Sequence, residues 1–158
     1  MSAETSVSTS QSVSRGILVM LRLYTGIAFF LMGWGKITEG FDITQSLNFF
    51  MQRSHEFYKP FLESFVLTNP DLFNILIPYG ELLAGIGLII GLFTPLAAVG
   101  VMLMTLNFML LKGAWFWQAS SNDAAFFFIA LALLLGAAGR MMGVDQMLAQ
   151  KSPKGWLW

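Results

Sequence analysis

The sequence contains no cysteine and a single histidine, His55. The missing cysteine excludes disulfides, thiol redox chemistry and iron–sulfur clusters carried by this chain. One histidine excludes a haem held by two histidines, and the sequence has no glycine-rich phosphate loop, nucleophile elbow or metal-ligand cluster. Any redox chemistry would therefore use a cofactor that diffuses in or belongs to a partner.

Charged residues are also scarce, at 11% of the 158 residues, whereas apolar residues make up 56%. Average soluble domains carry about 25% charged residues, so this chain lacks the polar surface that water requires. The net charge is zero, which gives no indication of nucleic acid as a partner. The composition predicts an integral membrane protein of one small domain, embedded in the lipid bilayer.

The two ends of the chain differ from its apolar middle. Residues 1–15 are rich in Ser and Thr and predict a disordered tail. The apolar stretch that follows contains Arg22 and lacks a small-residue cleavage pattern, so it predicts a retained span rather than a signal peptide. We assign residues 16–148 to the membrane domain and residues 149–158 to a C-terminal tail.

Four segments approach the length of about 20 apolar residues that a span requires. The second and third are separated only by a Phe-Thr-Pro turn, whose Pro95 suits the first turn of a new helix. So short a link forces an antiparallel hairpin. The sequence thus predicts an all-α, integral membrane, antiparallel four-helix bundle with spans at residues 17–34, 76–93, 96–111 and 124–138.

The first connection, over residues 38–75, is long and has a pattern of its own. From Ile43 to Met51, apolar residues recur at helical spacing with amide side chains on the opposite face. This pattern predicts an amphipathic segment at the membrane interface. The next helix is predicted over residues 70–92, with a bend at Pro78.

Basic residues near span ends indicate orientation. The totals on the two sides are even, but Arg140 flanks a span directly, whereas Arg53 and Lys59 lie far from span ends. This difference favours both termini in the cytoplasm.

Glu81 lies in the middle of the second predicted span. A carboxylate at a helix centre costs about 2.5–3.5 kcal/mol on insertion scales, so it normally has a partner, a proton or water. At about 1.5 Å per residue, Glu81 and Asn107 both lie about 18 Å from the N-terminal side, and Arg22 about 9 Å from it. Three further charged residues near span ends fall at the opposite interface: Lys36, Lys112 and Asp123.

Two interpretations of these polar groups stay open. In one, Glu81 is a proton carrier or ligand anchor, with Arg22 and Asn107 as its partners. In the other, the three side chains form an ion pair and an interhelical hydrogen bond that only fix the helix packing. Arg22 has a further interpretation: its long side chain extends toward the near membrane interface and places its charge there.

Polar residues at predicted helix ends are expected to stabilise those ends, and for some of them the sequence leaves a functional role open as well. Asn69, Asn122 and Asp123 are placed to cap helix starts, and Asp123 is also a candidate site residue. Arg140 closes the fourth helix with a favourable charge or binds an anionic head group. Asp145 either pairs with Arg140 or caps a short terminal helix.

Small residues recur in the first two spans. Gly26 and Gly33 thin the first span, and Gly87 and Gly91 form a small-xxx-small pair in the second. They predict close helix packing, either inside the bundle or between the copies of a homo-oligomer.

Short motifs and charged residues follow one another in a specific order along the chain. They are Arg22, Gly-Trp-Gly-Lys36, Tyr-Gly-Glu81-Leu-Leu-Ala-Gly, Asn-Asp123-Ala-Ala, and Gly-Arg140 followed by Asp145. This order and spacing, over residues 16–148, resembles the DoxX/DoxD family of four-span bacterial and archaeal membrane proteins.

The resemblance implies a subunit of the plasma (inner) membrane rather than a defined chemistry. Some members are described as parts of a thiosulfate:quinone oxidoreductase or a terminal quinol oxidase complex, and others associate with thiol or superoxide defence proteins. By this resemblance, Glu81 with Arg22 exchanges a proton with quinol. The supporting residues are Asn107, Lys36, Asp123 and Arg140. Quinone is then a diffusible substrate, this chain binds no cofactor or metal of its own, and electrons come from a partner redox subunit.

Three functions compete on this basis. The first is a membrane subunit of a quinone-linked oxidoreductase complex, which makes the chain at most part of an enzyme. The second is a non-catalytic scaffold or assembly partner whose buried polar residues are structural. The third is a small carrier of protons or lipophilic solutes.

Overall fold

The computed structural model describes the backbone of residues 2–118 and 121–152 and the side chains of residues 14–118 and 121–152. Within these ranges the chain is helical and contains no strand. In chain order the helices are α1 (Ser2–Glu39), α2 (Ile43–Phe50), α3 (Lys59–Phe61, continued by a π-helical turn over Leu62–Val66), α4 (Pro70–Ile90), α5 (Thr94–Leu111), α6 (Asn122–Leu135) and α7 (Val144–Lys151). A 3-10 turn, Ala138–Arg140, joins α6 to α7.

Three of these helices are long and apolar enough to cross a bilayer: the Ser14–Glu39 part of α1, α4 and α5. Helix α6 is apolar but has only 14 residues. At about 1.5 Å per residue it is shorter than a hydrocarbon core of about 30 Å. The predicted all-α membrane bundle is confirmed, whereas a fourth span, the plasma membrane and the cytoplasmic termini stay predictions.

The four longest helices pack side by side. Helix α1 lies along α4, α4 against α5, α5 against α6, and α6 back against α1. The core between them is apolar and includes the fully buried Phe29, Leu88, Val101 and Leu133. The outward-facing side chains are apolar as well, because this surface meets lipid rather than water.

Glycines bring α1 and α4 into backbone contact. A Cβ on Gly33 would lie 2.5 Å from the backbone nitrogen of Leu82 and 2.7 Å from the carbonyl oxygen of Pro78. A Cβ on Gly85 would overlap the backbone of Phe30. The close packing predicted from Gly33 therefore occurs inside the bundle, and packing between copies stays a prediction.

Helix α4 ends at Gly91, a glycine whose role is to cap the helix rather than to allow close packing. Gly91 has a left-handed backbone with φ 67°, and its N–H donates to the carbonyl of Gly87, which completes a helix C-cap. The helix predicted over residues 70–92 is confirmed within two residues at its end. Asn69 stands at its start, but the Asn69 amide donates to the carbonyl of Phe65 at 2.8 Å instead of capping the helix. The predicted side-chain cap is therefore wrong.

Helix α1 begins at Ser2, in the segment whose composition predicts a disordered tail. Once the apolar part of the helix has formed, extending it by one residue adds one backbone hydrogen bond and fixes only that residue. Residues 2–15 contain no proline or glycine that would stop this extension. At the other end, α7 extends to Lys151, and residues 153–158 of the predicted tail lie outside the described residues. The domain limits at residues 16 and 148 stay predictions.

The amphipathic segment of the first loop folds onto one end of the bundle. Ile43 and Leu47 of α2 are buried with Leu62 and Val66 in a second apolar cluster. The N–H of Ile43 donates to the side-chain oxygen of Asn74 at 2.7 Å, which ties α2 to α4. The apolar face of this segment thus packs on protein, and the segment covers the loop-side ends of α4 and α5.

Candidate functional site

The buried carboxylate of Glu81 pairs with Lys36. Glu81 lies one turn after Pro78 in α4, and its side chain is 0% exposed. Its Oε1 accepts a hydrogen bond from the Nζ of Lys36, which lies in the last turn of α1. Lys36 is on the same helix face as Gly33, three residues earlier, where the two backbones touch. The close approach of α1 to α4 therefore delivers the ammonium group to the carboxylate.

Aromatic rings enclose the Lys36 ammonium. Its Nζ lies 5.5 Å from the ring centre of Phe41 and 5.2 Å from that of Phe108. Such cation–π contacts stabilise a cation that has lost part of its water. The Lys36 side chain keeps 27% of its surface exposed, so the ion pair is buried only on the Glu81 side.

The second oxygen of the Glu81 carboxylate is the unusual feature of this site. Glu81 Oε2 is buried and has no hydrogen-bond partner among the residues that the structure describes. An unsatisfied buried acceptor costs about 1–3 kcal/mol, and more when it is charged. Such an atom indicates a place where another donor belongs.

A cleft of about 910 Å³ runs along α4 and α5 and has Glu81 in its wall. The walls along the two helices are apolar, and Leu83 and Leu103 at the rim are 66% and 57% exposed. Because this rim lies on the outer face of spanning helices, the cleft opens toward lipid. Its polar residues are Lys36, Ser46, Tyr58, Glu81, Asn107, Lys112 and Asp123.

Asn107 lines the same cleft, and its hydrogen bonds go to residues other than Glu81. The hydroxyl of Tyr58 donates to Asn107 Oδ1, and Asn107 Nδ2 donates to the carbonyl of Leu103 at 2.7 Å. Burial raises the pKa of the Tyr58 hydroxyl to about 12. Glu81 and Asn107 thus line the same cleft, but the hydrogen-bond partner of Asn107 is Tyr58, which folds back from the first loop. A shared functional role of Glu81 and Asn107 stays a prediction.

Asp123 also lines the cleft, as half of a second ion pair. Its Oδ2 accepts from the Nζ of Lys112 at 2.8 Å. The Lys112 Nζ lies 5.8 Å from the ring centre of Phe108, so this ring has two ammonium groups near it. The N-cap of α6 is Ser121, which accepts from the N–H of Ala124 at 3.4 Å. The capping role predicted for Asp123 is thus wrong.

Arg22 lies in a different cluster, so the predicted pair of Glu81 with Arg22 is wrong. Arg22 is buried, and its Nη1 donates to the carbonyl of Ala138 at 3.0 Å. Glu81 is level with Gly33 of α1, and Arg22 lies about 16 Å back along that helix, beyond the length of its side chain. Span boundaries gave the depth of each residue, but the contact between α1 and α4 sets which residues face each other.

Asp145 belongs to the cluster around Arg22 and caps a helix from a distance. Its two carboxylate oxygens accept from the N–H groups of Phe93 and Thr94, at 2.7 and 2.8 Å, at the start of α5. Its own N–H donates to the carbonyl of Gly91 at 2.7 Å. For Asp145 the sequence predicts a pair with Arg140 or a cap on the short terminal helix, and not this cap on α5. A cap supplied from another part of the chain leaves no local sequence pattern.

Arg140 ends the turn Ala138–Arg140 and is exposed, and its predicted supporting role stays a prediction. Tyr58, Phe108 and Lys112 are not among the site residues that the sequence predicts. The sequence predicts Lys112 at the loop-side interface, and its spacing of four residues from Phe108, at the end of α5, is the pattern that could have joined these two.

Comparison with known proteins identifies a family. A family model described as DoxX matches residues 17–117, which is well over half of the chain and includes α1 from residue 17 onward, the first loop, α4 and α5. No curated protein and no solved structure matches the chain. The matched region contains Lys36, Glu81 and Asn107 of the cleft. On this match, the chain is a membrane protein that belongs to the DoxX family.

Proposed function

We propose that this DoxX protein is the quinone-binding membrane subunit of an oxidoreductase complex, and that Glu81 with Lys36 exchanges a proton with quinol in the cleft between α4 and α5. One observation carries the proposal. A buried carboxylate with one unpaired oxygen forms part of the wall of an apolar cleft that opens to lipid. The family's association with quinone-linked oxidoreductases supports the same assignment.

The cleft has the size and character that a lipophilic ring compound requires. Ligand pockets measure about 300–1,000 Å³ and are mainly apolar with a few placed polar groups. The cleft of about 910 Å³ lies within this range. Its apolar walls along Leu83 and Leu103 suit a hydrocarbon tail, and Lys36 and Glu81 suit the oxygen atoms of the ring.

The ion pair provides the chemistry that a quinol site needs. Oxidation of a quinol releases two protons and two electrons. Glu81 accepts the first proton through its unpaired oxygen, and Lys36 then stabilises the remaining negative charge on the ring oxygen. The second proton is released to water when the electrons leave the ring. In the reverse direction the same groups deliver a proton to a reduced quinone. The electrons pass to or from a partner subunit, because this chain has no cysteine and one histidine to hold a redox centre.

A scaffold function is the second candidate, and the ion pair itself favours it. Lys36 and Glu81 join α1 to α4, so the pair also contributes to helix packing. If the pair is only structural, removing the Glu81 charge lowers the amount of folded protein and leaves the activity per folded molecule unchanged.

The test compares Glu81→Gln with wild type after purification together with the co-purifying membrane partners. Quinone reduction by thiosulfate and quinol oxidation are both measured per folded molecule. We expect Glu81→Gln to lower turnover about 100-fold or more, within the usual contribution of a positioned acid or base. Glu56→Gln is the matched control, since Glu56 pairs with Lys59 at 2.5 Å on the exposed first loop. Unchanged turnover in Glu81→Gln contradicts the proton role.

A further inference from the structure

We infer that the cleft selects the reduced, hydroxyl-bearing form of its ligand, because the ligand donates a hydrogen bond to Glu81 Oε2. The inference rests on the proposed function and adds which redox state of the quinone binds tightly. It follows from the donors and acceptors that surround the polar residues of the cleft.

The hydrogen-bond donors of this region do not distinguish the two redox forms, because a ring oxygen of a quinol or of a quinone can accept from them. The Lys36 ammonium donates one of its three N–H groups to Glu81 Oε1 and has the rings of Phe41 and Phe108 beside it, so it can also donate to a ligand oxygen in either form. The Tyr58 hydroxyl donates to Asn107 Oδ1. Likewise, the Lys112 ammonium pairs with Asp123.

The open position is an acceptor. Glu81 Oε2 has no donor among the described residues, and its side chain is fully buried in the cleft wall, so a ligand reaches this oxygen when the carboxylate turns toward the cleft. A ligand that fits the site best therefore brings an O–H or N–H group to this oxygen, joined to an apolar body that occupies the walls.

The two redox forms of a quinone differ in this respect. A quinol carries two hydroxyl groups and can donate to Oε2, whereas the oxygens of a quinone only accept. A quinone oxygen beside Oε2 would bring two acceptors together and leave Oε2 unpaired, even where Lys36 donates to the quinone oxygen. A site built to pair with a hydroxyl rejects the analogue that lacks it, because the buried partner then stays unsatisfied.

A redox consequence accompanies this selection. When the reduced form binds more tightly than the oxidised form, the midpoint potential of the bound couple rises. A tenfold preference for quinol corresponds to a shift of about 30 mV for a two-electron couple. The bound quinol is then a weaker reductant than free quinol, and bound quinone is a stronger oxidant than free quinone.

The experiment measures binding to the full chain in lipid nanodiscs. Three matched ligands are titrated without oxygen: decylubiquinol, decylubiquinone, and the dimethyl ether of the quinol, which keeps the ring and loses both O–H groups. We expect the quinol to bind about tenfold or more tightly than either of the others, about 1.4 kcal/mol or more. Equal or tighter binding of the quinone or the ether overturns the inference and leaves the quinone-binding function standing. No binding of any form overturns both.

A variant and a competing ligand sharpen the result. Glu81→Gln presents an amide whose oxygen can face Lys36 and whose N–H₂ faces the cleft, so we expect the quinone to bind as tightly as the quinol or more tightly. Glu56→Gln serves as the control and keeps the wild-type ratio. The ether comparison needs no variant and decides the question even if Glu81→Gln does not fold. Tighter binding of farnesol, an isoprenoid alcohol, than of quinol assigns the site to a hydroxyl-bearing lipid and overturns the quinol assignment.

Discussion

At the scale of single residues, the two oxygens of Glu81 have different surroundings. Oε1 pairs with the Lys36 ammonium, and Oε2 is left for a ligand. Desolvation makes an isolated buried carboxylate unfavourable, and the opposite charge and hydrogen bond of Lys36 offset that cost. The rings of Phe41 and Phe108 in turn stabilise the Lys36 ammonium. The same pair can therefore stabilise the bundle and act on a bound ligand.

Replacing Lys36 tests the stabilising part of this pair. Lys36→Met keeps the apolar stem and removes the ammonium, which leaves the Glu81 carboxylate buried without a cation. We expect a loss of about 3–5 kcal/mol in the free energy of unfolding. Denaturant titration in mild detergent measures it. Lys59→Met, in the exposed pair with Glu56, is the control and should change stability by less than about 1 kcal/mol. Equal effects of the two variants would contradict a buried Lys36–Glu81 pair.

Tyr58 gives a pH dependence whose sign follows from its pKa. Burial raises the pKa of its hydroxyl to about 12 in the folded protein, compared with about 10 in an unfolded chain. Above pH 10 the unfolded chain loses this proton first, so the Tyr58 contribution to stability is full below pH 10 and falls toward pH 12. Tyr58→Phe should flatten the fall in unfolding midpoint between pH 10 and 12. Identical pH profiles for wild type and variant would contradict this assignment.

At the scale of helices, glycines serve two purposes: some allow two helices to touch, and one leaves space in the cleft. Gly33 and Gly85 let the backbones of α1 and α4 touch, which aligns Lys36 with Glu81. Gly100 of α5 lines the cleft instead, and a Cβ there would meet nothing within 4 Å. The missing side chain at Gly100 therefore leaves room for a ligand rather than for another helix.

Filling that room should block the cleft without harming the fold. Gly100→Leu adds a side chain into open space and replaces the poorest non-proline helix former with a good one, worth up to about 1 kcal/mol. We expect unchanged or higher thermal stability and a loss of quinol binding of about tenfold or more, measured in nanodiscs. Gly16→Leu is the matched control, since a Cβ on Gly16 also meets nothing within 4 Å and Gly16 lies outside the cleft. Wild-type binding in Gly100→Leu would contradict ligand binding in the cleft.

At the scale of the whole molecule, two polar clusters lie at opposite ends of the helix pair α1–α4. The cluster around Lys36 and Glu81 faces a cleft that opens to lipid. The cluster around Arg22 and Asp145 is enclosed, so tightly that a Cβ added to Gly91 would lie 2.7 Å from Arg22 Nη1. The first cluster has the access that a site needs, and the second joins the C-terminal segment to the hairpin between α4 and α5.

Removing the Asp145 carboxylate should loosen that junction. Asp145→Ala leaves two N–H groups at the start of α5 without a partner and takes away the negative charge near Arg22. We expect a loss of about 2 kcal/mol or more in unfolding free energy, with faster proteolysis after residue 140. Glu39→Ala, at an exposed position, should stay within about 0.5 kcal/mol of wild type. Quinol binding per folded molecule should not change, and a selective loss of binding would contradict the structural role of this cluster.

The sequence by itself determined the class of the protein: a cysteine-free membrane chain of apolar helices, with Glu81 as its costly buried charge and a DoxX pattern along it. Composition and periodicity suffice for this, because both depend on each residue's preference for lipid or water. Only the tertiary structure decided that Glu81 pairs with Lys36, that Tyr58 folds back to Asn107, and that Asp145 caps α5. Such partners depend on how far one helix is shifted along another, and backbone contact at glycines sets that shift.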